Sequence, residues 1–376
     1  MARADDHADD LSVHELIEGP TDVISPQELA AARAAGAAET GRRGEPDDAG
    51  PGRAGQPGHA ATGQGHPAHA GDGHPDHAGN GDADHAGNGD GRRVVALPRL
   101  PQAGPLYRRA LLGALPGVGG RRGDTLPQVE LTAAGVTVDR AHLAAYDRVC
   151  GFRLTDRLPV TYPHVLGFPL ALRLMTAPDF PMPLVGLVHV ANRITAHRPI
   201  SAGETLDFSA YAEHLRPHER GRQVDVVLVG SVDGEEVWRG VSTYLGRERS
   251  AGGGERRDRG ERPAPPAATA HWRVDPRVGV AYAQVSGDRN PIHTSRLGAR
   301  LFGFPRPIAH GMWSKARCLA ALEGRLPEAY TVEVAFKLPV PLPTTVALSA
   351  TAGDGGWEFA LHDARTGRPH LVGAAH

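Results

Sequence analysis

The stretch QVDVVLVGSVDGEEVWRGVSTYLG, residues 223–246, decides the fold of the first half of the ordered sequence. Apolar and polar residues alternate on both sides of Asp233-Gly234, which is the period of a strand with one buried face. Asp-Gly between two such runs is the strongest short signal for a tight hairpin, because both turn positions need a positive φ. The stretch therefore predicts two antiparallel strands.

The second half repeats this kind of pattern. Short alternating runs predict strands at 332–338, 345–353 and within 357–375, with turns at Asp354-Gly355 and Thr366-Gly367, and a helical run precedes them at 312–324. Each half is therefore predicted to be α+β, with one main helix and several antiparallel strands.

Composition divides the chain into four segments. Residues 1–95 are rich in Gly, Ala, Asp and His and lack large apolar side chains, so we expect a disordered tail. Its His-Ala-Gly octamers, starting at His69, His77 and His85, favour a solvated spacer over a metal site, and a short helix is predicted after Ser25. The ordered halves span 96–246 and 271–376, and a Gly-, Arg- and Pro-rich linker, 247–270, joins them.

The two halves look like copies of one another. At an offset of 136, AYDRVCGF from Ala145 aligns with AYAQVSGD from Ala281, and Gly-Phe-Pro at 167–169 aligns with 303–305. Further on, VHVANRI at 188–194 matches VEVAFKL at 332–338. A duplicated fold is the simplest explanation.

Charge and cysteine content exclude several classes of protein. The formal net charge is −2, which gives no global attraction for nucleic acid or an anionic membrane. Cys150 and Cys318 have no CxxC spacing and are expected to be buried thiols in a reducing compartment. No apolar run is long enough to span a bilayer, and the acidic N-terminus is unlike a signal peptide, so the expectation is a cytoplasmic protein.

The second copy contains a carboxylate and an imidazole that the first copy lacks. Asp288 and His293 lie in SGDRNPIHTS, 286–295, whereas the aligned residues of the first copy are Phe152 and Arg157. A carboxylate and an imidazole in a partly dry site can share acid and base roles. The alternative is structural: Asp288 caps a helix or closes an Asx-turn and His293 is a loop histidine.

A helix start after this pair offers a place for an anion. The predicted helix begins near Gly311, in IAHGM, 308–312, and a glycine there lets a ligand approach free backbone N–H groups. An acid–base pair beside an oxyanion hole is the equipment needed to remove a proton next to a carbonyl. At the same offset the first copy reaches Leu174-Met175, so we expect the first copy to be non-catalytic.

These residues resemble a known family. Tyr282-Ala-x-Val-Ser-Gly-Asp-x-Asn-Pro-Ile-His293, followed by Ala299 and Ile308-Ala-His-Gly-Met312, is similar to the hydratase 2 signature of the MaoC-like (R)-specific enoyl-CoA hydratases and 3-hydroxyacyl-thioester dehydratases. The region from about residue 97 to the end resembles the actinobacterial double-hotdog members of that family. No departure from the signature is found in the second copy.

The resemblance implies a fold, a reaction and a set of residues. The fold is a double hotdog, in which each antiparallel sheet wraps around a long central helix. The reaction is reversible dehydration of a (3R)-hydroxyacyl group on coenzyme A or acyl carrier protein to the trans-2-enoyl thioester in fatty acid metabolism, with no metal or other cofactor. Asp288 and His293 would be catalytic and the Gly311 N–H would form the oxyanion hole, supported by Ser286, Asn290 and His310.

Several expectations accompany this interpretation. The partners are the acyl-CoA or acyl-ACP substrate, without nucleic acid or membrane, and the chain is a pseudo-dimeric monomer or a homodimer. The apolar segment 164–175 would line the acyl pocket, Tyr282 would pack rather than react, and Lys315 or Arg317 could meet the carrier. The alternatives are a hotdog acyl-thioesterase and a non-catalytic acyl-thioester-binding protein.

Overall fold

The computed structural model describes residues 91–113, 123–247 and 267–376. The predictions for the tail and most of the linker lie outside these residues. The helices are α1 Ala103–Gly113, α2 Arg140–Cys150, α3 Tyr162–Met175, α4 Val278–Ser286, α5 Pro291–Thr294, α6 Arg296–Leu301 and α7 Gly311–Ala321. The strands are β1 Arg93–Leu97, β2 Val129–Val136, β3 Leu187–Ala196, β4 Leu206–His218, β5 Gly221–Val232, β6 Glu235–Arg247, β7 Ala270–Val274, β8 Tyr330–Phe336, β9 Thr344–Gly353, β10 Gly356–Asp363 and β11 Pro369–Ala375.

The predicted hairpin at 223–246 is confirmed. β5 and β6 pair antiparallel, and the two residues between them, Asp233 and Gly234, have φ angles of 51° and 83°. Both turn residues therefore adopt the left-handed conformation that a tight two-residue hairpin needs.

All eleven strands form one sheet in the order β1-β2-β4-β5-β6-β3-β8-β11-β10-β9-β7. Read from either edge to the centre, β2-β4-β5-β6-β3 in the first half has the same connectivity as β7-β9-β10-β11-β8 in the second. The duplication inferred from sequence is therefore present in the topology. β1 has no counterpart in this symmetry and pairs parallel with β2.

The two halves join through the strands that the sequence repeat had matched. β3 and β8 pair antiparallel at the centre of the sheet, with Asn192 opposite Val334 and Arg193 opposite Glu333. A strand that pairs antiparallel with its own duplicate places the two copies about a local two-fold axis, as in a symmetric dimer. Tyr146 and Tyr282, the matched tyrosines, also lie together, with ring centroids 6.2 Å apart.

Each half packs a buried helix against its sheet. In α3 the side chains of Leu170, Leu172 and Leu174 are at most 1% exposed, and in α7 those of Ala316 and Cys318 are fully buried. This arrangement confirms the α+β double hotdog. The expectation of one main helix per half was too simple, because α2 and α4 precede the central helices.

The equivalent helices α2 and α4 end in the same way. Gly151 and Gly287 each occupy the C-cap in the left-handed conformation, with φ angles of 85° and 72°. A residue without Cβ reaches that conformation at the least cost. The residues that follow are Phe152 and Asp288, so this part of the sequence alignment is confirmed.

The remainder of the ungapped alignment is wrong. Gly167 lies inside α3, whereas Gly303 lies between α6 and α7, so the two Gly-Phe-Pro triplets occupy different structural positions. The central helix of the first copy begins at Tyr162, and Leu174-Met175 lie at its end. The counterpart of the helix start at Gly311 is therefore Tyr162, because α5 and α6 lengthen the second copy before its central helix.

The boundary of the tail is also shifted. Arg93 begins β1, three residues before the expected start of the ordered region. The two cysteines are free and buried, as expected.

Candidate active site

The loop after α4 presents Asp288. The Asp288 N–H donates to Ser286 Oγ at 3.2 Å, and Asp288 Oδ1 accepts from the Asn290 N–H at 3.2 Å. The second contact is the Asx-turn of the structural alternative. It occupies one carboxylate oxygen and so fixes the orientation of the group without excluding a chemical role.

Helix α5 carries His293. Asn290 caps this helix by accepting from the Ile292 N–H at 3.3 Å, so Asn290 holds both ends of the Asp288–His293 loop. His293 Nδ1 lies 2.8 Å from the Ile308 carbonyl oxygen. A carbonyl only accepts, so Nδ1 carries the proton and Nε2 is left as a proton acceptor.

A glycine lets the loop approach α4. A Cβ on Gly279 would come 2.1 Å from the His293 carbonyl oxygen. Any larger residue at Gly279 would displace the backbone of His293 itself. The geometry of the pair therefore depends on close packing as well as on hydrogen bonds.

His310 lies against both members of the pair. Its Nε2 is 3.0 Å from the Asp288 carbonyl oxygen and 3.9 Å from Asp288 Oδ2, and its ring stacks on His293 with centroids 3.7 Å apart. Tyr282 packs on its other side at 4.9 Å. Burial lowers the pKa of His310 to about 3, with a further contribution from His293, so His310 is a neutral spacer that fixes the pair.

Asp288, His293 and His310 each offer one potential metal-ligand atom, and these atoms lie within 4.8 Å of one another. The set fits a metal poorly. The imidazoles of His293 and His310 are stacked face to face, and His310 Nε2 is already engaged by a backbone carbonyl, whereas ligating imidazoles converge edge-on at one ion.

Asp288 and His293 are both deprotonated before substrate binds. Burial raises the pKa of Asp288, but His310, His293 and hydrogen bonds from Tyr107 and Asn290 outweigh that effect, and the net pKa of Asp288 is lowered. Burial lowers the pKa of His293, against the opposing effect of Asp288. At neutral pH, Asp288 is therefore a carboxylate and His293 a neutral imidazole.

Sequence reasoning missed Tyr107. It lies on α1, ahead of the helices and strands that repeat in the two copies, and its hydroxyl donates to Asp288 Oδ1 at 2.5 Å. Burial and the Asp288 charge raise the pKa of Tyr107 well above its usual value, so it remains a donor. No sequence signal could have found it, because 181 residues separate the two partners.

The start of α7 is adjacent to this group. His310 is the N-cap and Gly311 the first helical residue, so the first N–H groups of α7 lack acceptors within the helix. A Cβ on Gly311 would lie 3.0 Å from the Phe336 ring, closer than side chains normally approach. Glycine therefore keeps the helix start in position between Phe336 and the acid–base pair.

At the two positions that the sequence alignment had matched, the first copy carries Phe152 and Arg157, which are not proton-transfer groups. Phe152 does correspond to Asp288 in the structure, but Arg157 does not correspond to His293, which lies on the additional helix α5. Phe152 stacks on Tyr146 at 6.3 Å, and Arg157 is exposed and pairs with Glu328. The first-copy side chain of His189, whose pKa burial lowers to about 3, packs against Phe336 at 5.0 Å. The expected acyl pocket along 164–175 stays a prediction.

Of the two basic residues expected near the carrier, Lys315 does not fit that role. Lys315 is fully buried, and its Nζ donates to Asn192 Oδ1 at 2.6 Å and to the Val332 carbonyl at 3.1 Å, which ties α7 to β3 and β8. Burial lowers its pKa well below the usual value. Arg317 is half-buried and stacks over the Trp272 ring at 4.2 Å, and its contact with the carrier stays a prediction.

The structure is that of a double-hotdog protein in which the second copy brings an aspartate and a histidine together at a helix start. The sequence matches the MaoC like domain family over residues 261–370. It is 42% identical to 3-hydroxyacyl-thioester dehydratase X of Mycobacterium tuberculosis over 265 residues, which cover 70% of this chain and 94% of that protein. The chain belongs to the MaoC-like dehydratase family.

Solved structures agree with this placement. The crystal structure of HtdX from Mycobacterium tuberculosis has a TM-score of 0.59 at 39% identity and covers 65% of this chain and 98% of its own. A MaoC-like dehydratase from Phytophthora capsici, 19% identical with a TM-score of 0.54, covers 66% of this chain and 94% of its own and shares the fold. Among the described helices, none has the length and apolar character needed to cross a bilayer.

Proposed function

We propose that this protein is a (3R)-hydroxyacyl-thioester dehydratase, which works in reverse as an (R)-specific enoyl-thioester hydratase. One observation carries the proposal: an ionised Asp288 and a neutral His293 with a bare Nε2 lie within 4.8 Å of one another beside the open start of α7. The relative that is 42% identical carries the name of such a dehydratase.

The resting protonation states specify how the proton moves. Dehydration removes a proton from C2 and a hydroxide from C3, and together these make one water. Because Asp288 and His293 Nε2 are both deprotonated and the His293 Nδ1 proton is held by the Ile308 carbonyl, the proton that the pair gives to the leaving hydroxyl is the one taken from C2. The pair therefore receives a proton and returns it within one turnover.

Removal of the C2 proton places negative charge on the thioester carbonyl oxygen, and this charge needs stabilisation. The Gly311 N–H at the first position of α7 is the proposed donor to the enolate-like oxygen, and the helix dipole favours negative charge at that point. The Tyr107 hydroxyl and the Asn290 N–H both donate to Asp288 Oδ1, so Asp288 Oδ2 is the oxygen that would exchange a proton with the substrate.

No cofactor enters this scheme. The polarising role that a metal would have falls to the helix start, and the acid–base roles fall to side chains. We therefore predict that prolonged dialysis against EDTA leaves kcat unchanged. A loss of activity that zinc or magnesium restores would contradict the scheme.

A hydration assay tests the proposal. Loss of the enoyl-thioester absorbance of crotonyl-CoA, with chiral analysis of the 3-hydroxy product, should report the (R) isomer for the natural protein and no turnover above background for Asp288→Asn. Arg157→Ala, which changes an exposed residue of the first copy, should stay within a few-fold of the natural rate.

The same assay separates the alternatives. Release of free thiol without hydration would mark an acyl-thioesterase, and tight binding of the thioester without either reaction would mark a non-catalytic binding protein. The cytoplasmic location and the choice between pseudo-dimeric monomer and homodimer stay predictions.

A further inference from the structure

Along the chain from Arg289 to the start of α7, every charged side chain is positive. From residue 289 to residue 309 there are four arginines and no lysine or acidic residue. All four arginines are exposed, and two exposed leucines accompany them on α6. We call this surface the arginine face, formed by Arg289, Arg296, Leu297, Arg300, Leu301 and Arg306.

None of these four arginines forms an ion pair with a described residue. Within residues 91–113, 123–247 and 267–376, no carboxylate lies within ion-pair distance of any of the four, and the side-chain hydrogen bond found runs from Arg306 Nη1 to the Pro343 carbonyl at 3.1 Å. Elsewhere on the surface exposed arginines do have acidic partners, such as Arg140 with Asp156 and Arg157 with Glu328. The charge of the arginine face is therefore available to an outside partner.

The leucines indicate the size of that partner. Leu297 is 70% exposed and Leu301 75% exposed, and their i,i+4 spacing on α6 puts them on one side of the helix. Adjacent exposed apolar side chains in a charged surrounding are typical of protein interfaces. The diphosphate and 3′-phosphate of coenzyme A would use the arginines but would leave both leucines in water.

The arginine face is close to Asp288 and His293 along the chain. Arg289 follows Asp288 directly, and α6 begins three residues after His293, so its first Cα lies within about 11 Å of the His293 Cα. The arginine face therefore lies within reach of a carrier whose thioester arm extends to Asp288 and His293.

We propose that the arginine face docks the acidic face of a phosphopantetheinylated acyl carrier protein. The inference rests on the proposed function, because it assigns the carrier of the same thioester. The guanidinium groups would steer and orient the acidic partner, and Leu297 and Leu301 would be the apolar contacts that become buried.

The experiment compares one acyl group on three carriers. The substrates are the crotonyl thioesters of an acidic type II acyl carrier protein, of coenzyme A and of pantetheine. The test variant is the double charge reversal Arg296→Glu/Arg300→Glu. The matched control, Arg273→Glu/Arg365→Glu, makes the same change of net charge at exposed arginines on β7 and in the β10–β11 turn.

The test variant should lose at least about tenfold in kcat/KM on the carrier-protein substrate and less than about threefold on the coenzyme A and pantetheine substrates. The control should stay near the natural protein on all three. For the natural protein, kcat/KM on the carrier-protein substrate should fall as salt rises from 0.05 to 0.5 M, since exposed charges are screened, and the test variant should be less sensitive. Leu297→Ser/Leu301→Ser should weaken the carrier-protein reaction with little change in its salt dependence.

Two results would overturn the inference. Unchanged kcat/KM on the carrier-protein substrate in the test variant would show that the face docks nothing. A loss on coenzyme A that equals the loss on the carrier protein, with pantetheine unaffected, would assign the arginines to the phosphates that both carriers share. Absence of turnover by the natural protein on all three thioesters would instead refute the proposed function, and binding of the holo carrier protein to Asp288→Asn would still test the face.

Discussion

Tyr107→Phe isolates the hydrogen bond that ties α1 to the Asp288 carboxylate. The change removes one hydroxyl, which donates to Asp288 Oδ1 at 2.5 Å, and leaves the ring in place. A hydrogen bond to a charged group contributes about 1.5–3 kcal/mol, and a pKa unit corresponds to about 1.4 kcal/mol. Loss of the donor should therefore raise the pKa of Asp288 by about 1–2 units, because only the charged form gains from it.

The assay is kcat/KM for crotonyl-CoA hydration as a function of pH, which reports ionisations of the free enzyme. The acid limb of the natural protein reports protonation of Asp288 and of His293, and it lies in the acidic range because the pKa of each is lowered. In Tyr107→Phe the Asp288 ionisation within this limb should move to higher pH by about 1–2 units. At pH values well above the acid limb, Asp288 is ionised in both proteins. Any loss of kcat/KM that remains there, up to about tenfold, therefore measures the effect of the hydroxyl on the orientation of Asp288 alone.

Tyr211→Phe is the matched control. Tyr211 accepts from Arg239 Nη1 at 2.9 Å in the first copy, so its removal costs a comparable hydrogen bond without touching Asp288. It should leave the acid limb in place. The reasoning is refuted if Tyr107→Phe keeps both the natural acid limb and the natural rate, or if Tyr211→Phe shifts the limb equally.

The remaining predictions use other positions. Asp288→Asn and His293→Ala should each lower kcat at least about 10²-fold at all pH values in the hydration assay, with unchanged thermal unfolding; a loss confined to low pH would assign them a lesser role. Gly311→Ala forces a methyl to within 3.0 Å of the Phe336 ring and displaces the helix start, so kcat should fall by about 10-fold or more while KM changes little. Burial and Glu323 raise the pKa of Asp147 from 3.8 to about 7, so the folded protein loses stability as pH rises from 4 to 7 and Asp147 ionises. Asp147→Asn should therefore raise the free energy of unfolding at pH 8 by up to about 4 kcal/mol and leave it almost unchanged at pH 4. Urea titration at the two pH values measures both quantities.

Local sequence signals were sufficient for the β5–β6 hairpin and for the end of α4 before Asp288. The Asp233-Gly234 turn fixed the β5–β6 hairpin because few residue pairs accept positive φ at both turn positions. Gly287 ends α4 directly before Asp288, because a residue without Cβ adopts the positive φ of the helix C-cap at the least cost. The Gly-Phe-Pro alignment failed because identity over three residues carries no information about whether Gly167 and Gly303 lie in a helix or a loop.

By itself, the sequence determined that the chain holds two related α+β halves, and that one of them carries an aspartate, a histidine and a glycine in an order suited to proton transfer. Only the tertiary structure decided that Tyr107 supports the aspartate, that Lys315 is buried, and that β3 and β8 fuse the copies into one sheet. The reason is physical: turns and caps act over a few residues, whereas Tyr107 and Asp288 meet only after the packing of every element between them has been fixed.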